Sequence, residues 1–135
     1  MLVRSAVLLP LAALVACLAV GRAHAIEFER YAYLYADRPS TPAYIPNTLY
    51  ATQTVGSGIR ISRSAAGVYQ VRLLGFMAGK TAGGNVQVTS FNTPHFCNVA
   101  SWIASGSDLL VNVRCWRSGS QVNVDAPFTM MVAFR

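Results

Sequence analysis

The stretch FCNVASWIASGSDLLVNVRCW, residues 96–116, decides how the rest of the chain is read. Two runs of apolar alternation flank Ala104-Ser105-Gly106-Ser107-Asp108, a cluster of turn-forming residues. That pattern predicts a hairpin with strands at Phe96–Ile103 and Leu109–Trp116. Cys97 and Cys115 lie near its two open ends. A disulfide requires Cα atoms within about 7 Å, so the pair must face each other across the hairpin. The register then predicts Val99 opposite Val113 and Ile103 opposite Leu109 on the disulfide face. Phe96 falls opposite Trp116, and Trp102 opposite Leu110, on the other face. The turn centres on Gly106. Turn chemistry, alternation and bridge agree, which is the strongest signal one sequence offers. Closing a loop of about 19 residues contributes roughly 3 kcal/mol in the chain-entropy model.

Pairing of the cysteines depends on compartment, and the N-terminus addresses that. Arg4 begins a positively charged region, Ser5 to Val20 is almost wholly apolar, and Ala23-His24-Ala25 offers small residues at both ends of a cleavage site. These are the three parts of a secretory signal, with cleavage expected after Ala25. An uncleaved anchor helix is the alternative, but the run is short of the roughly 20 apolar residues a span needs. Leu14-Val15-Ala16-Cys17 also resembles a lipoprotein processing site. Leu18-Ala19-Val20-Gly21 continue the apolar run where a lipoprotein tether is usually polar, so simple cleavage is the expectation. The protein is thus read as secreted or periplasmic, with no membrane span after processing. Cleavage removes Cys17 and leaves Cys97 and Cys115, which pair in an oxidising compartment.

Residues 26–135 form one domain in this reading. Without Arg4 and Arg22, nine basic residues stand against five acids, a net charge of +4. That charge is small and scattered, which argues against nucleic acid as a partner. Period-2 alternation recurs along the chain, and no long stretch has helical periodicity. Strands are expected at Glu27–Ala36, Thr48–Thr54 and Val86–Asn92. Ile59–Ser64 and Val68–Leu74 should form a hairpin around a three-residue turn, Ala65-Ala66-Gly67, with Gly67 left-handed. Its register sets Ile61 against Val71, Ile59 against Leu73 and Arg60 against Arg72. Asp37–Pro46 and Gly75–Gly84 read as loops, and Gly119–Ala126 as a loop with a short extended piece at Val122–Val124. The last strand, Phe128–Arg135, is apolar on both faces, so it is central in a sheet or forms a homo-oligomer interface. Seven or eight short strands in about 110 residues predict an all-β fold, an antiparallel β-sandwich or small barrel stapled by one disulfide.

Several pieces resemble a group of small secreted bacterial β-domains of unknown function. They are Gly67-Val68-Tyr69-Gln70-Val71, Gly83-Gly84-Asn85-Val86-Gln87-Val88-Thr89, Cys97, Trp102, Leu109 to Cys115, and Val124-Asp125 before Phe128. Tyr31-Ala32-Tyr33-Leu34-Tyr35-Ala36 followed by Pro39 is similar too. The resemblance spans most of residues 26–135 and implies the fold and export, with no activity attached.

Chemistry-bearing residues are few. His95 sits in a Thr-Pro-His turn, and only Asp108 and Asp125 offer distant partners for a triad. Glu27 and Glu29 share a strand face at the new N-terminus, where solvated acids are ordinary. No Cys/His cluster has metal-ligand spacing, and the glycine-rich loop holding Lys80 lacks the phosphate-binding pattern. The expectation is a protein without enzymatic activity, metal or cofactor. Tyr31, Tyr33 and Tyr35 alternate and so line one strand face, with Ala32, Leu34 and Ala36 on the other. Facing outward, they would suit a sugar ring or a protein partner at the cell surface, with Tyr44 and Tyr50 as extensions. Facing inward, they would be core. Arg60 opposes Arg72, and with Arg114 they form a candidate anion-binding surface. The expected role is binding or structural. The alternatives are a carbohydrate-binding module built on the tyrosine row, and a small hydrolase or protease inhibitor working through Asp37–Pro46 or Gly75–Gly84.

Overall fold

A computed structural model of the chain describes residues 28–80 and 83–135. The signal segment, its cleavage after Ala25 and the lipidation motif at Cys17 lie outside the described residues. Among the described residues nine strands form: β1 (Arg30–Ala36), β2 (Ala43–Tyr44), β3 (Ala51–Gln53), β4 (Gly58–Ala65), β5 (Val68–Leu74), β6 (Asn85–Ser90), β7 (Phe96–Ser105), β8 (Asp108–Trp116) and β9 (Phe128–Phe134). They make two antiparallel sheets, ordered β3-β1-β9-β6 and β2-β4-β5-β8-β7. The sheets face each other as a sandwich and do not close into a barrel.

The hairpin β4–β5 keeps the expected register from Gly58 to Arg63, with Ile59 against Leu73, Arg60 against Arg72 and Ile61 against Val71. A shift past Arg63 pairs Ala65 with Val68 and shortens the expected three-residue turn to Ala66-Gly67. Gly67 is left-handed at φ 65°. The hairpin β7–β8 departs from expectation halfway along. Phe96–Trp116, Cys97–Cys115 and Val99–Val113 pair as anticipated, but beyond Ala100 the register shifts by one residue. Trp102 then pairs with Val111 and Ile103 with Leu110. Two constraints conflict here. The disulfide fixes one register, while the tight turn at Gly106-Ser107 fixes the next. Gly106, at φ 59°, occupies the first central position, which II′ hairpin turns reserve for glycine. A β-bulge at Ala100 absorbs the extra residue. Because side chains alternate, every residue past the bulge changes face. Trp102 turns inward onto Phe134, ring centroids 5.5 Å apart, and Ile103 is left 61 % exposed. The expectation that Ile103 lies on the disulfide face and Trp102 opposite it is therefore corrected.

β5–β8 pairing, with Val71 against Val111 and Tyr69 against Val113, joins the two hairpins into one sheet. The inner faces of both sheets supply the core. Ala32, Leu34 and Ala36 come from β1, Phe128, Met130, Val132 and Phe134 from β9, and Ile59, Ile61, Val71, Leu73, Val111 and Val113 from the facing sheet. The disulfide lies within this core, its Cα atoms 4.0 Å apart. The final strand runs between β1 and β6, the central place its two-faced apolarity allowed. The glycine-rich segment forms the expected loop, with turns over residues 75–79, but carries buried side chains. Phe76 and Met77 are fully buried, so this stretch plugs one end of the sandwich. Arg30 clamps it by donating to the carbonyls of Phe76 (2.6 Å) and Ala78 (2.7 Å).

Asp125 closes the opposite end. Arg63 donates to it through Nε and Nη2 (2.8 Å each), Gly67 N–H at 2.9 Å and the Tyr69 hydroxyl at 3.0 Å. Burial alone would raise its pKa, but these bonds, Arg63's first, leave it below the usual carboxylate value. Burial and the neighbouring carboxylate push the Tyr69 hydroxyl up. Gly67 is hemmed in as well as left-handed. A Cβ there would stand 2.5 Å from the Cys115 carbonyl oxygen and 2.7 Å from Val124 N.

Candidate functional site

The tyrosine row faces outward. Leu34, Ala32 and Ala36 are buried on one side of β1, while Tyr31 and Tyr33 are 48 % and 47 % exposed on the other. The neighbours follow from register. Tyr33 lies between Thr52 of β3 and Met131 of β9, and Met131 in turn lies beside Gln87 of β6. Tyr35 lies beside Thr129, and Thr129 beside Thr89. The chain just before β3 continues the β1–β3 pairing along the sheet edge, Tyr35 N–H donating to the Tyr50 carbonyl at 2.9 Å. Tyr50 then meets Tyr35 edge-on at 6.3 Å, and Phe91 meets it from the other side at 4.9 Å.

The result is an open groove of about 360 Å³ lined by Tyr33, Tyr35, Leu49, Tyr50 and Met131, with Gln87, Thr89 and Thr129 supplying polar atoms. Among the described residues no charged side chain lines it. Tyr31 shares the face but stands outside the groove. Tyr44, expected as an extension of the row, belongs to the other sheet, where the Arg38 guanidinium lies 5.6 Å above its ring. Burial pushes its hydroxyl up to about 12.

The arginines do not form a cluster. Arg60 and Arg72 are directly opposed on the outer face of the five-stranded sheet, but Arg72 donates to Asp108 at 2.6 Å. Asp108 also accepts from Gly75 N–H at 2.8 Å, and these bonds, Gly75's first, hold its carboxyl below the ordinary value. Arg114 pairs in register with Val68, four residues from Arg72 along β5, a separation of about 13 Å at strand rise. The three-arginine surface thus divides into two separate places.

Asp108 and Asp125 are each committed to an arginine, and neither hydrogen-bonds His95. The imidazole is half-buried rather than solvent-exposed, with Nδ1 buried and unpartnered. Asp37–Pro46 is tied down by β2 and by the Pro42 carbonyl, which accepts from Arg63 N–H at 2.8 Å. Among the described residues, no three His, Cys, Asp or Glu side chains come together as a metal site. No helix among them is long and apolar enough to cross a membrane.

Fold and groove together define a two-sheet, disulfide-stapled β-sandwich with an aromatic sheet face. No protein-family model, curated protein or solved structure gives a significant match to the chain. Sequence reading found Tyr33 and Tyr35 but missed Leu49, Met131 and Gln87. Alternation separated Met131 from Met130 and Val132 but did not say which face of the strand looks outward. Nothing local tells which strand lies beside it.

Proposed function

We propose that the protein is an exported, non-catalytic binding domain whose ligand seat is the tyrosine groove, and that its ligand is an uncharged saccharide chain. The observation that carries this reading is the lining of the groove. Aromatic and apolar side chains form the walls, amide and hydroxyl groups stand among them, and no charged side chain of the described residues joins them. Sugar rings offer apolar C–H faces for aromatic rings and hydroxyls for polar side chains, so the two surfaces correspond. Tyr33, Tyr35, Met131, Gln87, Thr89 and Thr129 are held on strands before binding, which limits the entropy lost on association. The signal-like N-terminus and the buried disulfide both support export to the periplasm or beyond. The commitment of Asp108 and Asp125 to arginine partners favours binding over hydrolysis.

Retention of the purified protein on insoluble cellulose, chitin and β-1,3-glucan tests this. Tyr33 is half-exposed, so Tyr33→Ala should leave the thermal midpoint nearly unchanged while weakening retention about tenfold, the worth of one lost stacking contact. Absence of wild-type retention on all three matrices, or equal retention of the variant, would refute the reading.

A further inference from the structure

A second pocket lies on the opposite sheet, at the open end of the β7–β8 hairpin. Outward-facing residues of β8 include Arg114 and Trp116. Trp116 stacks against Phe96 of β7, centroids 5.3 Å apart and planes 24° from parallel. On its other side the returning chain forms a bridge at Asn123, fixed by Arg117 N–H donating to the Val122 carbonyl at 3.0 Å. Arg114 lies one outward position further in, opposite Asn98. Phe96, Asn98, Arg114, Trp116, Ser120, Gln121 and Asn123 line an open pocket of about 500 Å³.

Its chemistry differs from that of the tyrosine groove. Arg30, Arg63 and Arg72 are all engaged by carbonyls or carboxylates. Arg114 meets no carboxylate and makes no side-chain hydrogen bond among the described residues, and no acid lines the pocket. The side-chain amides of Asn98, Gln121 and Asn123 likewise make no hydrogen bond within the described chain. One free guanidinium, three free amides and an indole–phenyl wall therefore converge on one space. A guanidinium matches a carboxylate in two-pronged geometry. Amides both donate and accept, as ring hydroxyls require. The aromatic wall suits the apolar face of a pyranose.

We propose that this pocket binds an acidic sugar residue, such as a hexuronic acid within a polysaccharide. Its carboxylate pairs with Arg114, its hydroxyls bond to Asn98, Gln121 and Asn123, and its ring lies against Trp116 and Phe96. Arg114 also borders an adjoining groove over Gln70, Ser101 and Asn112, which gives a neighbouring sugar room along the sheet. An acidic peptide would satisfy Arg114 but leaves the amides without the clustered hydroxyls they match. The proposal stands apart from the tyrosine groove, since the two lie on different sheets.

Intrinsic fluorescence provides the test. Trp102 packs on Phe134 inside the sandwich, so Trp102→Phe leaves Trp116 as sole reporter. Titration of that protein with trigalacturonate should give a saturable change that weakens as salt is raised. Adding Arg114→Gln should weaken binding about tenfold or more without moving the thermal midpoint, because Arg114 is exposed and has no partner to lose. Should Trp102→Phe fail to fold, calorimetric titration of the wild type and of Arg114→Gln replaces the optical reading. A missing response at millimolar trigalacturonate, unchanged affinity in Arg114→Gln, or equal binding of maltotriose or triglutamate would each overturn the proposal.

Discussion

Replacing Asp125 with Ala should destabilise this sandwich more than its half-exposed position suggests. The carboxylate accepts four hydrogen bonds, two from Arg63 and one each from Gly67 N–H and the Tyr69 hydroxyl. Losing an ionised acceptor costs about 1.5 kcal/mol or more for each of the Gly67 and Tyr69 donors. The Arg63 pair is partly open to water, with 25 % and 23 % of the two side chains exposed, so it adds little to these two bonds. The expected loss is roughly 3–4 kcal/mol. At about 4 °C per kcal/mol for a domain of this size, Tm should fall by roughly 12–16 °C. The effect should also depend on pH. The folded carboxyl titrates below its unfolded value near 4, so its contribution is complete above that value and lost as pH falls through the folded pKa. Thermal melts followed by circular dichroism at pH 7 and at about pH 2 would read both quantities. The gap between wild type and variant should narrow in acid. A drop of less than about 4 °C at neutral pH, or a gap that stays constant into acid, would refute the assignment of Asp125 as the clasp.

Two further outcomes follow from the backbone. Trp102→Ala should cost about 2–3 kcal/mol in urea denaturation, whereas Ile103→Ala, at an exposed position, should stay within about 0.5 kcal/mol. The reverse order would restore the unbulged register. Gly67→Ala should cost more than about 2 kcal/mol, because strain at positive φ adds to a clash with the Cys115 carbonyl. Gly119→Ala has a similar φ of 75° but open space around it, so it should cost only about 1 kcal/mol. Equal losses at the two glycines would show that backbone angle, and not crowding, governs Gly67.

Much of this architecture was legible in residue order because it rests on local chemistry. Alternation sorted the residues of β1, β4, β5, β8 and β9 into two faces, since successive side chains of a pleated strand point to opposite sides, but it left open which face of β1 and β9 turns inward. Gly67 and Gly106 marked both hairpin turns, and Cys97 with Cys115 fixed where the second hairpin begins. The bulge escaped that reading. Nothing in Val99-Ala100-Ser101 marks it, and it arises only because bridge and turn demand registers one residue apart. The burial of Phe76 and Met77 was hidden likewise, in a segment that reads only as a glycine-rich loop.

The candidate sites divide in the same manner. By itself the sequence determined that Tyr31, Tyr33 and Tyr35 share a face, that Arg60 opposes Arg72, and that two cysteines can meet. These are consequences of a period of two and a short span. Tertiary structure alone decided that β9 lies beside β1, bringing Met131 and, through β6, Gln87 to Tyr33. It also decided that Arg72 meets Asp108 while Arg114 stands free beside Trp116. The reason is physical. A strand's own residues dictate which way each side chain points, but its neighbour is chosen by how both sheets bury their apolar faces at once.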